Sequence, residues 1–284
     1  MNILTIDIEE WFHILDYPPV RHETQWEYFP YRLDNNVLNL LEILTKQQPA
    51  TFFILGWVAK KFPEIVKKIT TKRKLPEIGL HSSNHLLLYE SSPAQFRNDI
   101  HEGKKMLEDI TGLPVRYYRA PGFSLVESTR WAFQILAEEG FEADSSVFPA
   151  PRLHGGMLTF PYNRPCIIDA GNGLFLKEFP INTISILGHP LVFSGGGYFR
   201  FWPYPFIKTW TRKSDYIMSY FHPRDFDPSQ PRLPGLSPQR HFMTYTGLRH
   251  TQSKLNQWLN DFRFMDLDTA NKEIDWSKAP IFKV

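Results

Sequence analysis

Thr5-Ile6-Asp7-Ile8-Glu9-Glu10-Trp11-Phe12 decides how the chain is read. The apolar run Ile3-Leu4-Thr5-Ile6 predicts a short buried strand, and it ends at once in three carboxylates, Asp7, Glu9 and Glu10. Side chains alternate across a strand, so Asp7 and Glu9 share one face and Glu10 takes the other. Acids crowded at the end of a buried strand repel one another and lose hydration. They persist where a cation or a proton-transfer task offsets that cost. A solvated strand end with surface acids is the alternative reading of this stretch alone.

Strand and helix alternate outward from there. Tyr17 to Tyr31 is aromatic and proline-containing and reads as a loop. Asp34 can cap a helix running to about Gln48, with Val37, Leu38, Leu41 and Leu44 on one face. Ala50–Leu55 predicts a buried strand, Trp57–Ile69 a helix and Glu77–Leu80 another strand. Ser92 and Pro93 start a helix that Gly112 closes. Val115–Tyr118 is a strand, Glu127–Glu139 a helix stopped by Gly140, and Phe141–Ala143 begins one more strand. Repeated β-α units predict a parallel sheet with helices outside, either an open doubly wound sheet or a barrel. In the second half, Cys166–Ile168 and Leu174–Phe179 flank Asp169-Ala170-Gly171-Asn172-Gly173, a hairpin signal. Ser194-Gly195-Gly196-Gly197 reads as a flexible turn feeding Tyr198-Phe199-Arg200-Phe201-Trp202, either a loop approaching a ligand or a turn over core aromatics. Tyr216–Phe221 is a strand, Asp225–Pro238 an extended stretch, and Leu248–Phe262 an amphipathic helix.

Chemistry-bearing residues sit where these strands stop. His81 and His85, four apart, follow one strand; this spacing suits a metal when both meet on one helical turn. Arg119-Ala120-Pro121-Gly122 ends the next, Asp144-Ser145-Ser146 the one after, and His222-Pro223 ends Tyr216–Phe221. Each alone has a plain reading as a surface ion pair, a turn residue or a packed histidine. In a β/α barrel all those ends lie on one face, where the loops build the active site.

With these motifs in order, the chain resembles the polysaccharide deacetylases of the NodB-homology (carbohydrate esterase 4) superfamily. The branch found with bacterial exopolysaccharide and exosortase-type loci, which has an extra C-terminal region, is the nearest match in pattern. The matching stretches are 7–13, 50–57, the His81/His85 pair, 119–121, 144–146, 195–200 and 220–223. The resemblance implies an α/β fold, a distorted (β/α) barrel of about seven parallel strands, with residues 1–223 as the barrel and 224–284 as an extension packed on it. It also implies a metal-dependent hydrolase that removes acetyl groups from N-acetylated sugars. Position by position, His81 and His85 match the histidine ligands of the metal, and Asp7 matches the catalytic base. Arg119 matches the arginine that orients the base, His222 the general acid, and Asp144 the acid that supports it. The backbone N–H of Gly122 falls at the oxyanion donor. Many members place the third metal ligand directly after the base, where this chain has Ile8. Glu9 takes that role here because it shares the face of Asp7, with Glu10 as the fallback. The expected cofactor is one divalent ion, zinc first, with cobalt or nickel as alternatives.

Composition bounds the remaining classes. With 284 residues, 42% hydrophobic and 22% charged, the chain is an ordinary globular protein with ample core. A net charge of +2 and the absence of a lysine or arginine block leave no footprint for nucleic acid. The single cysteine, Cys166, fits a reducing compartment. No signal sequence or membrane span is visible, so the expectation is a cytoplasmic protein, with action at the inner membrane face open. The expected partner is an N-acetylated oligo- or polysaccharide; oligomeric state is not readable. A sibling amidohydrolase acting on a cyclic amide or ureide, or a non-catalytic sugar-binding relative, are the other classes. His13, His101, His154, His189, His241 and His250 receive no role.

Overall fold

The computed structural model describes residues 1–284 except 16, 45–47, 73–75 and 153. Its strands are β1 (Asn2–Ile3), β2 (Thr5–Ile8), β3 (Thr51–Ile54), β4 (Glu77–Leu80), β5 (Tyr117–Tyr118), β6 (Ala143–Asp144), β7 (Cys166–Asp169), β8 (Phe175–Glu178), β9 (Ile184–Ile186), β10 (His189–Leu191), β11 (Ile217–Met218) and β12 (Ile281–Lys283). Helices α1 (Leu33–Ile43), α2 (Gly56–Lys61), α3 (Pro63–Lys72), α4 (Pro93–Thr111) and α5 (Trp131–Glu138) fall in the first half. The second half holds α6 (Gly196–Phe201), α7 (Tyr204–Lys213), α8 (Pro238–Tyr245), α9 (Leu248–Asp261) and α10 (Leu267–Glu273).

The central sheet has the order β12-β7-β8-β6-β5-β4-β3-β2. From β2 to β8 every neighbour is parallel; the β7–β8 hairpin is antiparallel, as the Asp169–Gly173 turn signal predicts. Past β2 the curve continues. Asp7 N–H donates to Phe221 O (2.7 Å), Phe221 N–H to Thr5 O (3.1 Å), and β1 pairs parallel with β11. The six parallel strands from β2 to β8 and the strand through 217–221 give the α/β arrangement of about seven that the resemblance implies. Gly195 then bridges to Tyr220. Backbone pairing stops there among the described residues, so the barrel is not closed by hydrogen-bonded strands. The seam is spanned by Asn182, whose Oδ1 accepts from Ser194 Oγ (3.1 Å) and Met218 N–H (2.9 Å).

Period-two alternation sorts the core. Ile3, Phe53, Tyr117, Ala143 and Met218 form an inner cluster, whereas Leu4, Ile6, Ile8, Phe52, Ile54 and Tyr118 pack outward against the helices. Odd positions of the first strands therefore face inward, carrying Thr5 and Asp7 with them. Gly79 faces Phe53 so closely that a Cβ would lie 2.5 Å from its ring. The far end of the barrel is sealed by later chain: Leu4 N–H donates to Met265 O, and Leu267 N–H to Thr51 Oγ1 (2.9 and 2.8 Å). No helix among the described residues is long and apolar enough to cross a membrane.

Several boundaries differ from expectation, each for a local reason. The helix expected over 57–69 breaks at Phe62–Pro63, since proline cannot donate inside a helix. Gly196–Phe201 is a helical turn rather than a flexible loop. α4 keeps its expected capping, a Ser92–Gln95 box and Gly112 at φ +67. α1 is capped from a distance instead of by Asp34: Glu10 Oε1 accepts from Arg32 N–H (2.9 Å) and Leu33 N–H (3.0 Å). The expected end near Gln48 involves residues 45–47, outside the described residues. Glu10 thus spends its charge on a helix N-terminus, on the opposite side of the strand from Asp7. Glu10→Ala should lower unfolding free energy by about 1–2 kcal/mol in chemical denaturation, the usual cost of an uncapped buried helix start. An unchanged midpoint would show that water replaces the carboxylate.

Candidate active site

The strand ends converge on a cavity of about 570 Å³ that Asp7, Glu9, His81, His85, Gly122 and His222 all line. Behind Asp7 lies Arg119, fully buried just after β5. The guanidinium donates to Asp7 Oδ1 (2.8 Å) and Thr5 Oγ1 (2.6 Å) on one side, and to Ser145 O (3.1 Å) and Ser145 Oγ (2.9 Å) on the other. Its face rests 4.3 Å above the Phe53 ring. Arg119 is therefore fixed by two strands, and it fixes Asp7 in turn. Asp7 Oδ2 remains directed toward His222, 3.8 Å from its Nε2.

Glu9, His81 and His85 bring one ligand atom each within 4.8 Å of one another. His81 Nδ1 lies 2.8 Å from Arg119 O, so it carries the proton and leaves the Nε2 lone pair facing Glu9. Burial pushes His81 down to about 4, against the opposing pull of Asp7 and Glu9. Burial would raise Glu9, but His222, His85 and His81 outweigh it and hold the carboxylate well below its usual range. Two imidazoles and a carboxylate are the donor set of a divalent transition ion, and the residues present fit one. The histidines do not share a helical turn, contrary to the spacing argument. Ser82 and His85 adopt φ +63 and +57, and this bend turns His85 back onto Glu9, at 2.9 Å. Asp99 on α4 holds the bend by accepting from Ser83 N–H (2.9 Å) and Asn84 N–H (3.1 Å). The fallback ligand Glu10 points away to α1, as described above.

Asp144, which the resemblance pairs with His222, stands elsewhere. It does not face His222. Its carboxylate accepts from Ser146 N–H (3.2 Å) and Ser146 Oγ, and it shares a hydrogen bond with the buried Glu178. β6 is paired with β8 there, which brings Glu178 beside Asp144 in register. The acid at His222 is Asp225, three residues on. Asp225 Oδ2 accepts from His222 N–H (2.9 Å) and lies 3.2 Å from Nδ1, while Oδ1 pairs with Arg200 Nε (3.0 Å). Burial alone would raise Asp225, but Arg200 and His222 hold it down at about 2. Burial would lower His222, yet Glu9, Asp225 and Asp7 together raise it. Arg200 is anchored by the carbonyls of Met243, Thr244 and Thr246. Asp225 and Arg200 were missed by sequence reasoning. The signal available was the turn His222-Pro223-Arg224-Asp225, whose fourth residue returns to cap its first.

His13, given no role, also lines the cavity. It stacks on His85 at 5.3 Å and sits between Trp26 and Trp57. Its Nδ1 accepts from Glu10 N–H (3.2 Å), so Nε2 bears the proton, and burial holds the ring neutral. Gly122 adopts φ +60, and a Cβ there would lie 2.3 Å from Leu15. Gly195 and Gly196 pack on Tyr220, with Gly196, Gly197 and Tyr198 at the cavity wall.

Fold and cluster together define an α/β protein with a candidate metal centre at the ends of parallel strands, and comparison with known proteins narrows the class. Residues 26–142 match the polysaccharide deacetylase family, and residues 145–272 match a domain of unknown function, DUF3473. The chain therefore carries a polysaccharide deacetylase domain of the NodB-homology (carbohydrate esterase 4) type, followed by the segment that fits the exopolysaccharide-locus branch. Two peptidoglycan-N-acetylglucosamine deacetylases of Bacillus cereus are similar, 34% identical over 84 residues and 33% over 93. These alignments span 29% and 33% of this chain and only 30% and 41% of those relatives. A structure from Mycobacterium smegmatis, described as a polysaccharide deacetylase, superposes with a TM-score of 0.65 over 99% of this chain and 92% of that one, at 19% identity. An allantoinase gives 0.59 over 95% and 88%, at 13% identity. Both likenesses concern the fold.

The Asp144–Glu178 pair yields a stability prediction. Burial and the neighbouring Asp144 raise Glu178 well above the carboxylate range, so it keeps its proton in the folded state. The unfolded chain releases that proton above its ordinary value, so the pair's contribution is full below about pH 4.5 and declines as pH rises. Glu178→Gln keeps the shape without the proton. Its melting temperature should fall less than that of the wild type between pH 5 and 8. Parallel curves would mean that the pair is ionised.

Proposed function

We propose that the protein is a metal-dependent hydrolase that removes acetyl groups from N-acetylated sugars of a polysaccharide or its precursor. The single observation carrying this reading is the joint placement of a two-histidine, one-carboxylate cluster beside an arginine-held aspartate and an aspartate-held histidine. Glu9, His81 and His85 would hold one divalent ion, with zinc the first expectation. When bound, the ion supplies Lewis-acid polarisation of the acetamide carbonyl.

The chain's own groups account for the proton movements. Asp7 accepts the proton of the attacking water at Oδ2, while Arg119 occupies Oδ1 and keeps the carboxylate aimed. The Gly122 N–H is the donor assigned to the developing oxyanion; one such donor contributes about 3 kcal/mol in comparable sites. His222 gives the Nε2 proton to the leaving nitrogen, with Asp225 steadying Nδ1–H and the imidazolium. A C–O bond forms, the C–N bond breaks, and acetate and a free amine leave. Asp144 has no part in this scheme. We read residues 1–223 as the deacetylase unit and 224–284 as an extension packed on it.

Acetate release from N-acetylglucosamine oligomers, with zinc, cobalt or nickel added, tests the reading; hydrolysis of a cyclic ureide in its place would move the assignment to the sibling class. Purified protein should carry about one divalent ion per chain. Glu9→Ala and His81→Ala should lose it while Glu10→Ala keeps it, as metal analysis would report. Retention of full occupancy by His81→Ala would remove the triad from consideration.

His222→Ala should slow amide hydrolysis by about 10²–10⁴-fold, the usual contribution of a general acid. It should slow an activated aryl acetate far less, because that leaving group needs no proton. Asp225→Asn should reproduce part of the loss at unchanged metal content, whereas Asp144→Asn should not show this leaving-group dependence. Equal losses on amide and ester would return His222 to a packing role.

A further inference from the structure

Beside the catalytic cavity lies an apolar one of about 480 Å³, walled by Ile186, Leu191, Val192, Phe201, Trp202 and Phe242 among others. The two are continuous along their edge, since Pro151, Tyr198 and Met243 line both. The β9–β10 hairpin contributes one wall. Its turn holds Leu187 at φ +50 and Gly188 at φ +81, and Leu187 is 95% exposed. A leucine in left-handed backbone, presented wholly to solvent, is costly twice over and gains nothing from the fold. Ile186, Phe201 and Phe242 are also exposed, and Phe201 and Phe242 pack together at 5.8 Å.

Arg152 stands at the divide. Its guanidinium lies 4.5 Å over Phe148 and 4.8 Å over Phe123. Phe148 packs against Tyr198, which faces both cavities. Nη1 of Arg152 is buried with no hydrogen-bond partner among the described residues. Arginine cannot shed its charge, and an unsatisfied buried donor is costly unless a ligand supplies the acceptor. The planar fork suits a phosphate. Along the surface, then, come the proposed metal triad, an unsatisfied arginine and an apolar groove. A neutral polysaccharide calls for neither of the last two. An acidic polysaccharide would use the arginine and leave the groove idle.

We propose that the substrate is an amphiphile: an N-acetylated sugar joined through phosphate to a long hydrocarbon chain. The sugar lies at Asp7, Glu9 and His222, the phosphate meets Arg152, and the chain enters the groove beside the β9–β10 hairpin. Such a molecule resides in a bilayer, and the exposed Leu187 turn suits contact with one. Water cleaves the amide to acetate and amine as above, and the phosphate linkage is untouched. This proposal rests on the deacetylase reading.

The test compares acetate release by the metal-loaded full chain from four substrates. They are N-acetylglucosaminyl phosphoryl-polyprenol in detergent, N-acetylglucosamine 1-phosphate, a neutral N-acetylglucosamine oligomer, and an oligomer alternating N-acetylglucosamine with glucuronic acid. The polyprenol substrate should exceed the 1-phosphate in kcat/KM by at least about tenfold, a modest return for an apolar pocket. Phe242→Ser and Ile186→Ser should reduce that ratio, and Arg152→Gln should lower both phosphate substrates relative to the neutral oligomer. Ratios within one variant are insensitive to partial misfolding. Equal or better turnover of the neutral or uronate oligomer overturns the proposal. Silence on all four overturns the deacetylase reading instead, and binding then decides: dodecyl phosphate should quench tryptophan fluorescence at lower concentration than butyl phosphate, with the difference reduced in Phe242→Ser. No difference between the two phosphates would eliminate the groove as a lipid site.

Discussion

A guanidinium that cannot be neutralised sits at the bottom of the site with no access to water, and much of the architecture follows from satisfying it. Arg119 needs acceptors on every side. It takes them from β2 through Thr5 and Asp7, and from the turn after β6 through Ser145. Strands from opposite parts of the sheet are tied to one cation, so their ends are held in register at the cavity. The same residue's carbonyl accepts from His81 Nδ1. One residue thereby orients Asp7 with its side chain and a proposed metal ligand with its backbone.

A second layer repeats this logic nearer the mouth. Arg200 is held by three carbonyls of the segment around α8 and presents Nε to Asp225, which holds His222. The proposed base and acid are thus each positioned by an arginine, Asp7 directly and His222 at one remove. The two arginines come from different halves of the chain, within the deacetylase match and within the DUF3473 match respectively.

Much of this was legible in the sequence where local periodicity governs. Alternation along the first strand placed Asp7 and Glu9 together and sent Glu10 elsewhere, and the structure keeps that division. The strand-end residues His81, His85, Arg119 and His222 also come together, because parallel β-α units force their carboxyl ends onto one face. What escaped depends on tertiary pairing or on unusual backbone. The family resemblance assigned Asp144 to His222; only the β6–β8 register reveals that Glu178 lies beside it instead. Asp225 was hidden inside a stretch read as extended, where a tight proline turn folds it back. The histidine pair was expected on a helix, whereas positive φ at Ser82 and His85 makes the geometry, and the four-residue spacing does not announce that. His13 had no pattern to mark it, being defined by the rings around it.

The pairing of the strand through 217–221 with the first strand has a consequence for biosynthesis. The proposed base at residue 7 and acid at residue 222 meet only across that junction, and Asp7 N–H is itself satisfied by Phe221 O. During synthesis the first half emerges with its strands in sequence, yet the second neighbour of β2, at Phe221, arrives only late in the chain. Until then β2 is a bare sheet edge carrying buried-type acids. Contacts of such long separation form late and slowly. The nascent chain therefore passes through a stage that contains His81, His85 and Arg119 but has no catalytic centre, and that depends on protection of one open strand.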